Sequence, residues 1–188
     1  MISKKSMVGI LLLVTSLLAG CGQYWNLASV EPVASSKSSF SFVAPESWFV
    51  GKRYRGMMVV TKDGPLLQAI EIKEQSLKKA FPKTKQEVNA SVTSLELANY
   101  YLAELKTELE GISVVEKHSI VPVSLGDQDA FQMELSFNSQ SGVTYKSRVL
   151  GLAYDEKVIT LAFQAPELHY YQSSIGDFES MLETFKLN

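Results

Sequence analysis

Ala130-Phe131-Gln132-Met133-Glu134-Leu135-Ser136-Phe137 alternates between apolar and polar residues without a slip. A period of two is the signature of a half-buried β-strand. It puts Phe131, Met133, Leu135 and Phe137 on an inward face and Gln132, Glu134 and Ser136 on an outward one. Such a strand predicts an antiparallel sheet with one face against helices and the other toward water. Downstream, Asn138 to Gly142 is a polar turn, Val143 to Tyr154 reads as the next strand, and Asp155-Glu156 turns the chain again. Val158 to Gln164 is nearly all apolar, which predicts a central strand, and Pro166 ends it. Upstream, Ile112 to Val121 reads as a strand closed by Pro122.

Before these strands lies the clearest helical signal. Thr93 and Glu96 have the spacing of a capping box. Leu95, Ala98, Leu102, Leu105 and Leu109 follow at intervals of three and four, and Gly111 closes the helix. At the C-terminus Tyr171, Ile175, Phe178, Leu182 and Phe185 repeat that spacing, with Gly176 as a candidate break and Asp177 as a cap for the second half. Phe40 to Ala44 reads as a short strand, and residues 57 to 74 as a hairpin turning at Asp63-Gly64-Pro65. Residues 75 to 91 form a long connection, of the kind often functional or mobile. The order predicts an α+β domain: a predominantly antiparallel sheet of about six strands covered by two main helices.

The first residues tell a different story. Lys4 and Lys5 precede an apolar run from Met7 to Ala19, too short to span a bilayer, which needs about 20 residues. This is the pattern of a cleaved signal peptide. Leu18-Ala19-Gly20-Cys21 resembles the bacterial lipobox, which implies cleavage after residue 20, acylation of Cys21 and a membrane held through N-terminal acyl chains. One myristoyl chain alone binds marginally, so two or three chains would be needed for a stable anchor. Gly22 rather than Asp follows Cys21; by resemblance to enterobacterial lipoproteins this favours the periplasmic face of the outer membrane over the inner membrane. Residues 21–38, rich in serine, read as a lipidated tether, and 39–188 as the domain.

The domain resembles the PsbP/Mog-like family, which includes an extrinsic photosystem II subunit and bacterial DcrB-like lipoproteins. Its opening, Phe40-Ser41-Phe42-Val43-Ala44-Pro45-Glu46-Ser47-Trp48, has that family's aromatic strand, proline and tryptophan. Its end, Phe178 through Met181-Leu182 to Thr184-Phe185-Lys186-Leu187, has the family's terminal helix and its final Ser-Phe-Lys type of ending, with Thr184 in place of the serine. The resemblance implies an α/β/α sandwich and a non-catalytic role in binding or assembling partners.

Composition narrows the chemistry. The 188 residues carry 18 basic and 20 acidic side chains, so no global basic field points to nucleic acid. Cys21 is the sole cysteine, and its acylation leaves no thiol for disulfides, metal sites or catalysis. Neither His118 nor His169 has companions at metal-ligand spacing, and no serine sits in a Gly-x-Ser-x-Gly elbow. Asp127, Gln128 and Asp129 lack the rest of a calcium loop and read as a polar turn. No catalytic residue, metal or cofactor is therefore expected.

Two basic surfaces remain, each with two readings. Trp48 with Lys52, Arg53, Tyr54 and Arg55 either contacts anionic headgroups or an acidic partner, or is a core plug beside a solvated turn. Lys78, Lys79, Lys83 and Lys85 have the same alternatives. The expected function is that of a lipid-anchored, non-enzymatic module binding a protein partner in the bacterial envelope. The alternative is a carrier of a small apolar ligand or lipid in a helix–sheet cavity lined by residues such as Phe131 and Phe163.

Overall fold

The computed structural model describes residues 25–34, 38–52 and 56–188. Among the described residues eleven strands are formed: β1 (Trp25–Leu27), β2 (Val33–Ala34), β3 (Phe40–Phe42), β4 (Phe49–Gly51), β5 (Met57–Thr61), β6 (Ala69–Ser76), β7 (Val115–Leu125), β8 (Gln128–Asn138), β9 (Thr144–Tyr154), β10 (Lys157–Pro166) and β11 (Lys186–Leu187). Two α-helices accompany them among the described residues, α1 (Ser94–Glu108) and α2 (Gln172–Glu183).

The main sheet is antiparallel and has eight strands, in the order β1-β4-β5-β6-β10-β9-β8-β7. The expectation of about six is thus corrected. The strands that raise the count, β1 and β4, have three residues each, too few to carry a period. Phe40–Phe42 does not join this sheet at all. It is the middle strand of a small sheet, β11-β3-β2. Trp25–Leu27 and Val33–Ala34, inside the stretch read as a tether, are paired in the two sheets.

The sheet separates two cores. On one face α1 and the 77–92 connection cover Phe131, Met133, Leu135, Val149 and Val158. On the other, α2 and the small sheet cover Ile70, Ile72, Leu150, Leu152, Ile159, Leu161 and Phe163. β8 therefore does not turn a face to water, as its alternation suggested. Its outward Glu134 receives hydrogen bonds from Arg148 Nε and Nη2 at 3.0 and 2.7 Å, and Arg148 also bonds Glu179 on α2. Although partial burial lowers the Arg148 pKa, those two carboxylates more than offset it and raise it.

Local chemistry explains most element ends. The Thr93–Glu96 capping box is present: Glu96 N–H donates to Thr93 Oγ1 at 3.3 Å, and Thr93 N–H to Glu96 Oε2 at 2.9 Å. Asp155 and Glu156 both take positive φ, as a type I′ hairpin requires. Pro122, expected to end a strand, instead lies within β7. β7 is an edge strand, and an edge position can tolerate the missing N–H. Likewise α2 runs unbroken through Gly176, and Asp177 caps nothing. Its Oδ2 accepts the Trp48 indole N–H at 2.9 Å.

Phe131 faces Gly151 across β8 and β9, and a Cβ at Gly151 would overlap the Phe131 ring. Phe131 is fully buried and has no room to retreat. Gly151→Ala should therefore cost about 1–3 kcal/mol by overpacking, read as a lowered urea midpoint with an unchanged slope.

Candidate functional site

The strand pattern that builds the α1 face also leaves part of it open. β6 alternates Ile70 and Ile72, which are buried, with Glu71 and Lys73, which line the opposite face. α1 lies over β7, β8 and β9 and stops short of this polar row. Leu97 and Ala98 are buried, but Tyr101, Leu105 and Leu109 further along the helix are only half-buried. The result is a groove between α1 and the β6–β10 floor.

The groove has two joined parts. The wider, of ≈ 350 Å³, is lined by apolar groups from Leu105, Leu109, Leu135, Phe137 and Ala162. The narrower, of ≈ 220 Å³, ends at Phe81, Pro82 and Lys83. Tyr101, Lys73 and Glu108 line both. Glu104 fixes the far end: its carboxylate accepts the backbone N–H groups of Lys83 and Thr84, each at 2.8 Å. Tyr145 Oη–H donates to the Leu66 carbonyl at 2.7 Å and fixes the near end.

Burial, with help from the Glu71 and Glu108 carboxylates, raises the Tyr101 phenol above its ordinary pKa. It remains a neutral donor, with no hydrogen-bond partner among the described residues. Lys73 pairs with Glu71 at 3.4 Å, whereas Glu108 has no ion-pair partner there. An apolar trough with a spare phenolic donor and a carboxylate unpaired among the described residues has the chemistry to hold an apolar group with a donor and an acceptor beside it.

The residues singled out from sequence do not form one site. Cys21, Arg53, Tyr54 and Arg55 lie outside the described residues. Trp48 is fully buried, packed near Phe163 and bonded to Asp177, so its side chain offers no surface to a headgroup. That correction follows from the size and apolarity of the indole, which is best accommodated in the core. Lys52 is exposed. Lys78, Lys79, Lys83 and Lys85 are exposed on the connection after β6, and only Lys83 reaches the groove. Phe131 and Phe163 are fully buried on opposite faces and fill the cores without lining a cavity. His118 bonds Ser136 Oγ at 2.9 Å and His169 stacks edge-on to Tyr170, so the two histidines are not brought together. The groove itself had one sequence signal, the alternation of Glu71 and Lys73 with Ile70 and Ile72 in the first half of β6.

Comparison of the architecture with solved structures finds matches over most of the chain. Cyanobacterial PsbP (CyanoP) from Synechocystis sp. PCC 6803 is 14% identical, with a TM-score of 0.62, covering 92% of this chain and 99% of that one. This is the PsbP/Mog-like fold. A mutant of the protein Mog1 is 12% identical, with a TM-score of 0.55, covering 84% and 95%. LpqN of Mycobacterium tuberculosis, involved in cell envelope biogenesis, is 14% identical, with a TM-score of 0.52, covering 87% and 92%. At such identities the likeness establishes the fold alone. No protein-family model and no curated protein matches the chain. Among the described residues no helix is long and apolar enough to cross a membrane.

Two phenols give the fold an alkaline signature. Burial pushes Tyr171 up to about 12, although Arg148 pulls it down, and Tyr101 is raised further. Unfolded, both ionise near pH ~10. A group whose folded pKa is raised stabilises fully below its unfolded pKa and loses that contribution as pH climbs through the folded one. Stability should therefore fall from about pH 10 to 12 and beyond. Ultraviolet difference titration should show two late tyrosines, one disappearing in each of Tyr101→Phe and Tyr171→Phe.

Proposed function

We propose that this chain is a lipid-anchored protein of the bacterial envelope that acts by binding a partner protein, not by catalysis. The groove beside α1 is the recognition site. The observation that carries this reading is the groove's construction: an open apolar trough, clamped at both ends by Glu104 and Tyr145, with the Tyr101 donor unspent. A fixed shape lowers the entropy cost of binding. The lipobox-like Leu18-Ala19-Gly20-Cys21 supports the anchor. That LpqN shares the fold and is involved in envelope biogenesis supports the compartment.

A second reading, a carrier of a small apolar ligand, draws on the wider part of the groove. Its ≈ 350 Å³ lies at the lower end of the range of ligand pockets. The two readings differ in what co-purifies. A photo-crosslinking residue at Glu108 in intact cells should capture one reproducible protein, and Leu105→Arg should reduce that capture at least tenfold while the purified variant keeps its circular dichroism. Native mass spectrometry that instead finds a bound small molecule, with no crosslinked protein, would favour the carrier.

The anchor has its own check. Cys21→Ser should abolish labelling by radioactive palmitate and move the protein from the membrane to the soluble fraction. Unchanged fractionation would reject the anchor.

A further inference from the structure

Exposed apolar side chains are normal when scattered and informative when gathered. Here five of them stand on four loops at one end of the sheet: Leu66, Ile112, Val114, Val143 and Leu168. The register places them together. Thr61 pairs with Ala69, Ala69 with Gln164, Pro166 with Tyr145, Asn138 with Thr144 and Val115 with Phe137. The β5–β6, β10–α2, β8–β9 and α1–β7 connections therefore project from the same end. With strands ~4.8 Å apart, the row from β6 to β7 is roughly 20 Å wide. The wider part of the groove meets this rim at Leu66 and Leu109.

The tips are held outward. Asp63, Gly64 and Gln68 lock the β5–β6 turn: Leu67 N–H donates to Gly64 O at 2.9 Å and Gln68 Nε2–H to Asp63 Oδ2 at 2.9 Å. Leu66 is left 78% exposed. Leu168 is 87% exposed, next to His169 at φ 76° and ψ −57°. That backbone is costly for a residue with a side chain.

Charge selects the occupant. The four tips, residues 62–68, 109–114, 139–143 and 166–170, contain one cationic lysine, Lys62, which pairs with Asp177 at 3.7 Å. Glu110 and Glu167 within the tips, by contrast, have no ion-pair partner among the described residues; outside them, on the last turn of α1 at the groove mouth, Glu108 and Lys106 have none either. Lys78 and Lys79 stand beyond Ser76, at the opposite end of the sheet. An anionic bilayer would be repelled by the rim. We infer that the rim and the groove mouth together receive a segment of the partner protein that combines apolar side chains with lysine or arginine.

This rests on the partner-binding reading and narrows it. The test uses the full chain in nanodiscs of neutral phosphatidylcholine and two labelled 12-residue peptides, one of leucine and lysine, the other of leucine and glutamate. The leucine–lysine peptide should bind at least tenfold tighter than the leucine–glutamate one. Leu66→Asp with Leu168→Asp, and separately Glu108→Lys with Glu110→Lys, should each weaken it at least tenfold. Equal binding of both peptides, or wild-type binding by either double variant, overturns the inference. So does rim-dependent binding to vesicles containing phosphatidylglycerol, which would make the rim a membrane surface. If Leu105→Arg abolishes photo-crosslinking while the rim variant leaves it intact, the groove reading stands and this inference falls alone.

Discussion

From Val158 to Ala165, β10 sends apolar side chains to both faces of the sheet. Ile159, Leu161, Phe163 and Ala165 point into one core and Val158 into the other. Two cores therefore form, and each face of the sheet needs a lid. Among the described residues the second face has a single α-helix to serve as one. An α-helix is about 10–12 Å across, whereas eight strands span roughly 34 Å. α1 covers β7 to β9 and leaves the floor of β10 and β6 to side chains that tolerate water. Thr160, Gln164, Glu71 and Lys73 supply that floor. The groove is thus the margin of a lid narrower than its sheet.

The opposite face is closed more thoroughly, and polar groups take part. Glu74 is 6% exposed; its Oε1 accepts Lys157 Nζ and Ser39 N–H, each at 3.0 Å. Lys157 also donates to Ser39 Oγ at 2.6 Å. A buried ion pair adds little net stability, but it penalises arrangements that leave either charge alone. Here it fixes where the small sheet sits on the large one. Thr184 does a similar task, accepting Val43 N–H at 2.9 Å and joining the end of α2 to the segment after β3.

What was legible in sequence follows from these constraints. β8, β9, β10 and α1 are long and bury a regular face, so their periods survive in the residue order. β1 and β4 owe their pairing to neighbours distant in sequence, and three residues cannot advertise it. Pro122 misled because a proline says only that an N–H is missing; whether a partner wanted it depends on strand order. Asp177 looked like a cap because the indole that it serves lies 129 residues away. The rim was hidden for the same reason. Leu66, Val143 and Leu168 are isolated leucines and valines in turns until antiparallel pairing brings those turns to one end.

The sheet edges bear on how any partner could be engaged. Adding a strand needs a long, regular row of free N–H and C=O groups. β7 is long, but its register slips between Lys117 and Ser119, and Pro122 interrupts its donors further on. β1, at the other edge, has three residues. Both edges are poor templates, one by irregularity and one by length. Main-chain pairing is therefore disfavoured at either edge, and the partner proposed above would be read by side chains. The groove and the turns beside it are where this chain leaves apolar side chains and an unpaired carboxylate within reach of each other. In the proposed role such a surface would discriminate by shape and charge, without disturbing the buried sheet beneath it.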